Sequence, residues 1–326
     1  MQIDVHAHVL SEPYLDRVVR EGAFGFQRSE DGAALMPGYG PLDPGVYRHE
    51  ERLARLAETA IDLQLVGPLI NFVAWPGGAA GVEQGRALNQ STAECVAGSG
   101  GRFAGLAALA LGEPDHAVEE LRRAVEEHGF VGAVTGTYAG DRPLDHASLE
   151  PLWTEIEARE LLLFMHPSSA EPTPLWDEYT LAVALAWPNE TARAVSRLIF
   201  AGTLERHPAL RLVLAHGGGT LPFLRGRLNL AYAAPTYEYN PACHAQISKP
   251  PADYFDQLLF DTAVGAAESL HFLIDSVGAE RVVLGTDDPF EIADTGGRVA
   301  FPALQERPAE EQERILGSTL AGLLGL

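Results

Sequence analysis

Short apolar runs rich in branched and aromatic residues alternate with longer stretches of helical period along this chain. The spacing predicts strands at Gln2–Val5, Leu65–Phe72, Phe103–Leu109, Val131–Thr135, Leu161–Met165, Arg211–Ala215, Leu258–Phe260 and Val282–Gly285. Between them it predicts helices at His49–Leu63, Val82–Ala97, Asp115–His128, Ser148–Arg159, Asn189–Arg206, Leu221–Tyr232, Ala266–Val277 and Ala309–Leu316. Ser148 and Asn189 stand where N-caps are expected. LLLFM, RLVLA and RVVLG are apolar throughout, as strands covered on both faces must be. Eight strands, each followed by a helix, predict an α/β fold of the (β/α)8 TIM-barrel type. Residues 10–48, rich in Gly and Pro, read as a small insertion after strand 1, lying over the barrel mouth. Residues 233–257 read as an aromatic loop forming a site wall or subunit contact. Neither stretch has the composition of a linker, so residues 1–326 are expected to form one domain.

With 46% hydrophobic residues, the chain of 326 residues has enough apolar side chains for a large core. A net charge of −22 argues against a nucleic-acid or anionic-membrane partner, because both surfaces would repel it. Only two cysteines are present, which excludes a disulfide framework or a thiolate metal cluster. The start MQIDVHAHVL does not read as a secretory signal, and no apolar stretch is of membrane-spanning length, so a cytoplasmic location is expected.

The candidate chemistry lies at strand ends. Asp4-Val5-His6-Ala7-His8 places two imidazoles at i and i+2, where alternate strand residues point to one side. His166 closes LLLFMH, His216 closes RLVLAH, and Asp287 follows RVVLGT. In a barrel the C-terminal strand ends carry catalytic groups, so four strands deliver metal-binding or acid–base groups to one rim. The other seven histidines do not fit this pattern. His49, His116, His128 and His271 fall on or beside helices, His146 and His244 in loops, and His207 ahead of a strand, at the opposite end. A two-metal barrel site usually needs a bridging carboxylate, often a carbamylated lysine, at the end of the fourth strand. That strand reads VGAVTGT, and the only lysine is Lys249 in a distant loop. Imidazoles with one carboxylate therefore predict one divalent metal, with Zn²⁺ favoured and Mn²⁺ or Fe²⁺ as alternatives.

The order DxHxH, then His166-Pro167, then AHGGG (215–219), then GTDDPF (285–290) resembles the amidohydrolase superfamily of the amidohydrolase-2 type. Within it the chain is most similar to the decarboxylase branch typified by 2-amino-3-carboxymuconate-6-semialdehyde decarboxylase. FAGLAAL, HGFVGAVTGT and GRL extend the similarity over essentially the whole chain. The resemblance implies that His6, His8, His166 and Asp287 hold the metal, with His216 as the acid–base residue and Asp287 also catalytic. It implies substrate-carboxylate arginines at Arg52 in EERLARL and at Arg227 in PFLRGRL, the latter reaching the neighbouring site of a homodimer. Phe290 is expected to contact the substrate. Asp261 in LLFDTA matches a family aspartate and is expected to orient His216 or the water. Ser168-Ser169 and the segment LAVALAWPNE (181–190) depart from the pattern where the pocket is lined, which points to an altered substrate.

The expected activity is non-oxidative decarboxylation of a small unsaturated or aromatic acid, an anionic substrate, with no organic cofactor. The alternative is a hydrolase or hydratase of the same superfamily acting on an amide, a lactone or an enol acid. A non-catalytic binding protein would be expected to carry a damaged set of rim residues, and here the set is complete.

Overall fold

The computed structural model of the protein describes residues 1–37, 40–69, 78–167, 178–234 and 245–326. Eight parallel strands form one sheet: β1 (Ile3–His8), β2 (Leu63–Gly67), β3 (Phe103–Ala108), β4 (Gly132–Thr135), β5 (Leu162–Met165), β6 (Arg211–Leu214), β7 (Leu258–Asp261) and β8 (Val282–Val283), paired in chain order. Three backbone bonds close the sheet into a barrel. Val5 N–H donates to Leu284 O at 2.9 Å, Asp287 N–H to His6 O at 2.8 Å, and His8 N–H to Asp288 O at 3.0 Å. The expected (β/α)8 barrel is therefore present.

Alternation along the strands sorts the core into two layers. Val5, Leu65, Leu106, Val134, Phe164, Val213, Leu259 and Val283 fill the lumen. Val66, Ala107, Ala133, Leu163, Leu212, Phe260 and Val282 face outward and meet the helices. The ring comprises α2 (His49–Ala57), α3 (Ala79–Gly98), α4 (Pro114–His128), α5 (Glu150–Ala158), α6 (Trp187–Phe200), α7 (Leu221–Ala233) and α8 (Ala267–Val277), and it is preceded by α1 (Glu12–Glu21). Helical segments at Ala309–Glu313 and Thr319–Leu324 complete the chain. No described helix is long and apolar enough to cross a membrane.

Several boundaries differ from the sequence pattern for identifiable reasons. β1 runs through His8 because the seam bonds hold its end. β2 stops before Pro68, which has no N–H to donate, and residues 70–72 of the expected strand lie outside the described residues. α2 ends at Ala57, where the Thr59 hydroxyl donates to Leu56 O at 2.8 Å and competes with the helix. Gly202, at φ 73°, separates α6 from the short helix Thr203–Arg206. Neither expected N-cap is one. Asn189 lies inside α6 and accepts from the Thr220 hydroxyl, while Ser148 lies in a turn capped by the His146 side chain. The insertion after β1 contains α1, which begins at the Ser11 cap and stops at Gly22. A small antiparallel sheet of Gln27–Arg28, Ala34–Met36 and Gly40–Pro41 follows.

Gly132 faces the β5 backbone so closely that a Cβ there would sit 2.1 Å from Leu162 O. Gly132→Ala is therefore expected to lower stability by about 1–3 kcal/mol through overpacking. Chemical denaturation checks this, and an unchanged midpoint would contradict the close approach.

Candidate metal centre

A bulge in β1 aims the first two candidate ligands. Asp4 pairs with Gln64 and Ala7 with Val66, so three steps along β1 match two along β2. Ile3 and Val5 pack in the lumen and Ala7 packs outside, so the extra residue lets His6 and His8 also turn inward at the rim. β5 delivers His166, whose N–H donates to Thr135 O at 2.9 Å. β6 delivers His216, and Asp287 follows β8.

His6, His8, His166 and Asp287 each offer a ligand atom, and these atoms all lie within 4.8 Å of one another. The Asp287 Oδ1 oxygen is 2.9 Å from His6 Nε2, 3.1 Å from His8 Nε2 and 3.9 Å from His166 Nε2. On the far side of each ring, Nδ1 meets an oxygen: Asp261 Oδ2 at 2.6 Å for His6, Pro68 O at 3.4 Å for His8, and Pro167 O at 2.9 Å for His166. Donation from Nδ1 fixes the tautomer that leaves the Nε2 lone pair facing inward. Among the described residues, His166 Nε2 is buried without a hydrogen-bond partner, and His6 Nε2 is buried facing the Asp287 carboxylate. An orphaned nitrogen among imidazoles converging on one carboxylate oxygen fits a divalent cation.

The charges support that fit. Burial drives His166 well below the ordinary imidazole range, reinforced by His216, His6 and His8. Burial likewise lowers His8. Burial also opposes charge on His6, but the Asp287 and Asp261 carboxylates outweigh it and lift this imidazole to about 10. Burial pushes Asp287 up, yet His6 above all, then His216 and His8, hold it well below the carboxylate range. Neutral His8 and His166 and the ionised Asp287 form, with His6 once a cation displaces its proton, a donor set for one divalent metal, and the fourth strand ends in Thr135 with no lysine to bridge a second.

His216 stands beside this cluster. Its Nε2 lies 3.4 Å from Asp287 Oδ2, so the two Asp287 oxygens are divided between the ligand imidazoles and His216. Its side chain is 17% exposed, more than any of the four cluster residues. His216 (φ 55°) and Asp287 (φ 61°) both adopt left-handed backbone, a strained state that clusters at functional sites. The glycines after His216 allow that turn. A Cβ on Gly219 would lie 2.0 Å from Pro188 O, so α6 packs directly on the loop carrying His216.

The remaining expected residues divide. The Phe290 ring lies 5.3 Å from His8, and Trp187 of LAVALAWPNE lies 6.2 Å from His166. Asp261 orients His6 and reaches His216 only through the neighbouring Gly217 N–H, at 2.9 Å. Arg227 is exposed on α7, with no ion-pair or hydrogen-bond partner among the described residues. Arg52 is not at the rim. Its guanidinium is 1% exposed and lies behind the barrel wall, bonded to Gln64, Asp288 and the His8 carbonyl. Ser168 and Ser169 lie outside the described residues, as do Cys243 and His244. His207 sits away from the rim between Glu150 and Glu157, each at 3.0 Å. Sequence reasoning assigned no role to Gln64, Thr286 and Asp288, or to Asp4 within its motif, yet these residues surround the ligands.

Residues 3–326 match the amidohydrolase family model. The chain is 27% identical over 335 residues to 2-amino-3-carboxymuconate-6-semialdehyde decarboxylase of Dictyostelium discoideum, covering 100% of this chain and 92% of that protein. It is 33% identical over 249 residues to gamma-resorcylate decarboxylase of Rhodococcus jostii, covering 72% of this chain and 74% of that one. Among solved structures, a dihydroxybenzoic acid decarboxylase from a Polaromonas species, with bound manganese and the inhibitor 2-nitroresorcinol, superposes with a TM-score of 0.81. It is 25% identical, with 100% and 97% of the two chains covered. With residues 3–326 matched by the family model, the chain belongs to the amidohydrolase family.

Proposed function

We propose that this chain is a metal-dependent carboxy-lyase that removes CO₂, without oxidation, from a small aromatic or unsaturated acid, and that its native ion is Zn²⁺ or Mn²⁺. The observation that carries the reading is three inward imidazole nitrogens gathered on Asp287 Oδ1, with His216 on the other oxygen. The named decarboxylases among its relatives and the manganese in the Polaromonas structure support it.

The bound cation would supply Lewis-acid stabilisation of charge developing on the substrate. His6, His8 and His166 would hold it as neutral donors, with Asp287 as the anionic one. His216 moves the proton. Positioned by the glycine turn and by Asp287, it delivers a proton to the carbon that bears the carboxylate, and the carbon–carbon bond pair stays behind as CO₂ leaves. The proton gained equals the group lost, so no oxidant is required. Phe290 and Trp187 supply apolar ring surface beside His8 and His166, suited to a planar substrate. With Arg52 engaged behind the wall, Arg227 alone remains of the expected two-arginine clamp. One guanidinium matches one carboxylate, which favours an aromatic monocarboxylate such as a hydroxybenzoate.

A homodimer sharing Arg227 is supported by α7. Phe223 (78% exposed), Arg227 and Leu230 (74% exposed) lie at i, i+4 and i+7 on one face, and Phe272 of α8 adds a ring 6.2 Å from Phe223. A cytoplasmic enzyme of a single barrel domain fits the acidic composition and the low cysteine content.

Three outcomes test these assignments. Hydroxybenzoates supplied to the metal-loaded protein should release CO₂, and a chelator should stop the release; turnover of lactones or amides without CO₂ would replace this reading with a hydrolase. His216→Ala should keep the metal and lose about 10²–10⁴-fold in kcat, the range for a proton-transfer residue, so near-normal turnover removes its role. Co-expressed Arg227→Ala and His216→Ala chains should regain roughly a quarter of wild-type activity by statistical pairing in a two-fold dimer, whereas an active monomer contradicts the shared arginine.

A further inference from the structure

Behind the rim, on the outer side of β1, β2 and β8, lies a buried polar network that the chemistry above does not use. Its centre is Arg52 of α2. Nη1 donates to the His8 carbonyl at 3.1 Å and to Gly45 O at 3.4 Å. Nε and Nη2 donate to Gln64 Oε1 at 3.1 and 2.9 Å, and Nε also faces Asp288 Oδ2 at 3.1 Å. The Gln64 amide passes the contact on, donating to Asp4 Oδ2 at 2.8 Å and to Asp288 Oδ2 at 3.4 Å. Asp4 in turn accepts from the His6 N–H at 3.1 Å, the Thr286 N–H at 3.0 Å and the Thr286 hydroxyl at 2.7 Å.

Apart from the Gly45 contact, each end of this network touches a residue beside, or the backbone of, a candidate ligand. Asp4 bonds the backbone of His6, Arg52 that of His8, and Thr286 and Asp288 flank Asp287. The strands it joins need such help. β8 is two residues long, the seam rests on three backbone bonds, and Asp287 is held in left-handed backbone. A planar guanidinium with fixed donors can tie a carbonyl, an amide and a carboxylate into one geometry, which a lysine ammonium cannot.

We infer that Arg52 is a positioning residue: from behind the barrel wall, with Gln64 and Asp288, it keeps the β1 ligands His6 and His8 in register with Asp287 across the seam. It does not clamp substrate. The inference rests on the metal-centre reading above. Removing Arg52 would leave two buried carboxylates, Asp4 and Asp288, facing each other without their cation, and the strand ends would shift apart.

The test compares Arg52→Met, Arg52→Lys and the double variant Arg52→Met/Asp288→Asn with the wild type. Affinity for Mn²⁺ is measured by chelator competition, ligand geometry from the visible spectrum of the Co²⁺-loaded protein, and KM with a hydroxybenzoate that the wild type turns over. The Arg52→Met variant should bind metal about 10- to 100-fold more weakly, as when a ligand-orienting partner is lost, and show an altered Co²⁺ spectrum. Its KM should stay within about twofold of wild type. The double variant should recover part of the affinity, because one of the two buried carboxylates is neutralised, and Arg52→Lys should fall between. If Arg52→Met does not fold, the other two variants carry the same comparison. Unchanged metal affinity with KM raised about tenfold or more would make Arg52 a substrate clamp and overturn the inference. Unchanged affinity, spectrum and KM with only a lower melting temperature would also overturn it, leaving an ordinary structural contact. A wild-type protein that takes up no divalent ion would overturn the metal reading first, before any variant is compared.

Discussion

Three imidazoles and a carboxylate, their ligand atoms within 4.8 Å of one another and buried, are not a stable arrangement on hydrophobic packing alone. Burial removes the water that would satisfy them, and each inward Nε2 then needs an electron-pair acceptor. The geometry around them serves this crowding. Oxygen acceptors on the outer side of each ring turn the lone pairs inward, and the ionised Asp287 supplies the charge that a cation would balance. The β1 bulge, the glycine turn after His216 and the left-handed backbone of Asp287 each bring one member of the set to the rim. Strain at His216 and Asp287 persists because packing over-determines it: α6 presses on Gly219, and seam bonds hold Asp287.

Much of this was legible in the residues. Apolar runs located all eight strands because barrel strands are covered on both faces and so carry an uninterrupted signal. HxH, HP, AHGGG and GTDDPF marked strand ends because rim chemistry collects there. α1 also carried a readable signal, a Ser11 cap, Pro13 and Gly22 around buried Tyr14, Leu15 and Val18, which the glycine and proline content of the surrounding insertion obscured. Other features had no local signal. A bulge is a mismatch between two strands and cannot be read from β1 alone. Asn189 resembles a cap in sequence, but the wide turn at 182–186 feeds α6 without a break, so the helix starts earlier.

Arg52 shows where residue-by-residue reading fails. The family resemblance implied an anion clamp at this position, yet a side chain on the barrel's outer layer can turn away from the lumen. Gln64 decides the direction: it alternates with lumen-facing Leu65, so its amide faces outward and draws the guanidinium behind the wall. Asp288 reinforces this by placing a second carboxylate on the same side, directly after the inward-facing Asp287. Two adjacent aspartates therefore serve two compartments of the barrel, one gathering imidazoles and the other an arginine.

The account stands on a single cation shared by strands β1, β5 and β8. Anomalous scattering from a crystal grown with Mn²⁺ locates it directly. The account predicts one peak, bonded to Nε2 of His6, His8 and His166 and to a carboxylate oxygen of Asp287. A peak elsewhere, or two peaks of comparable strength at the rim, would contradict it.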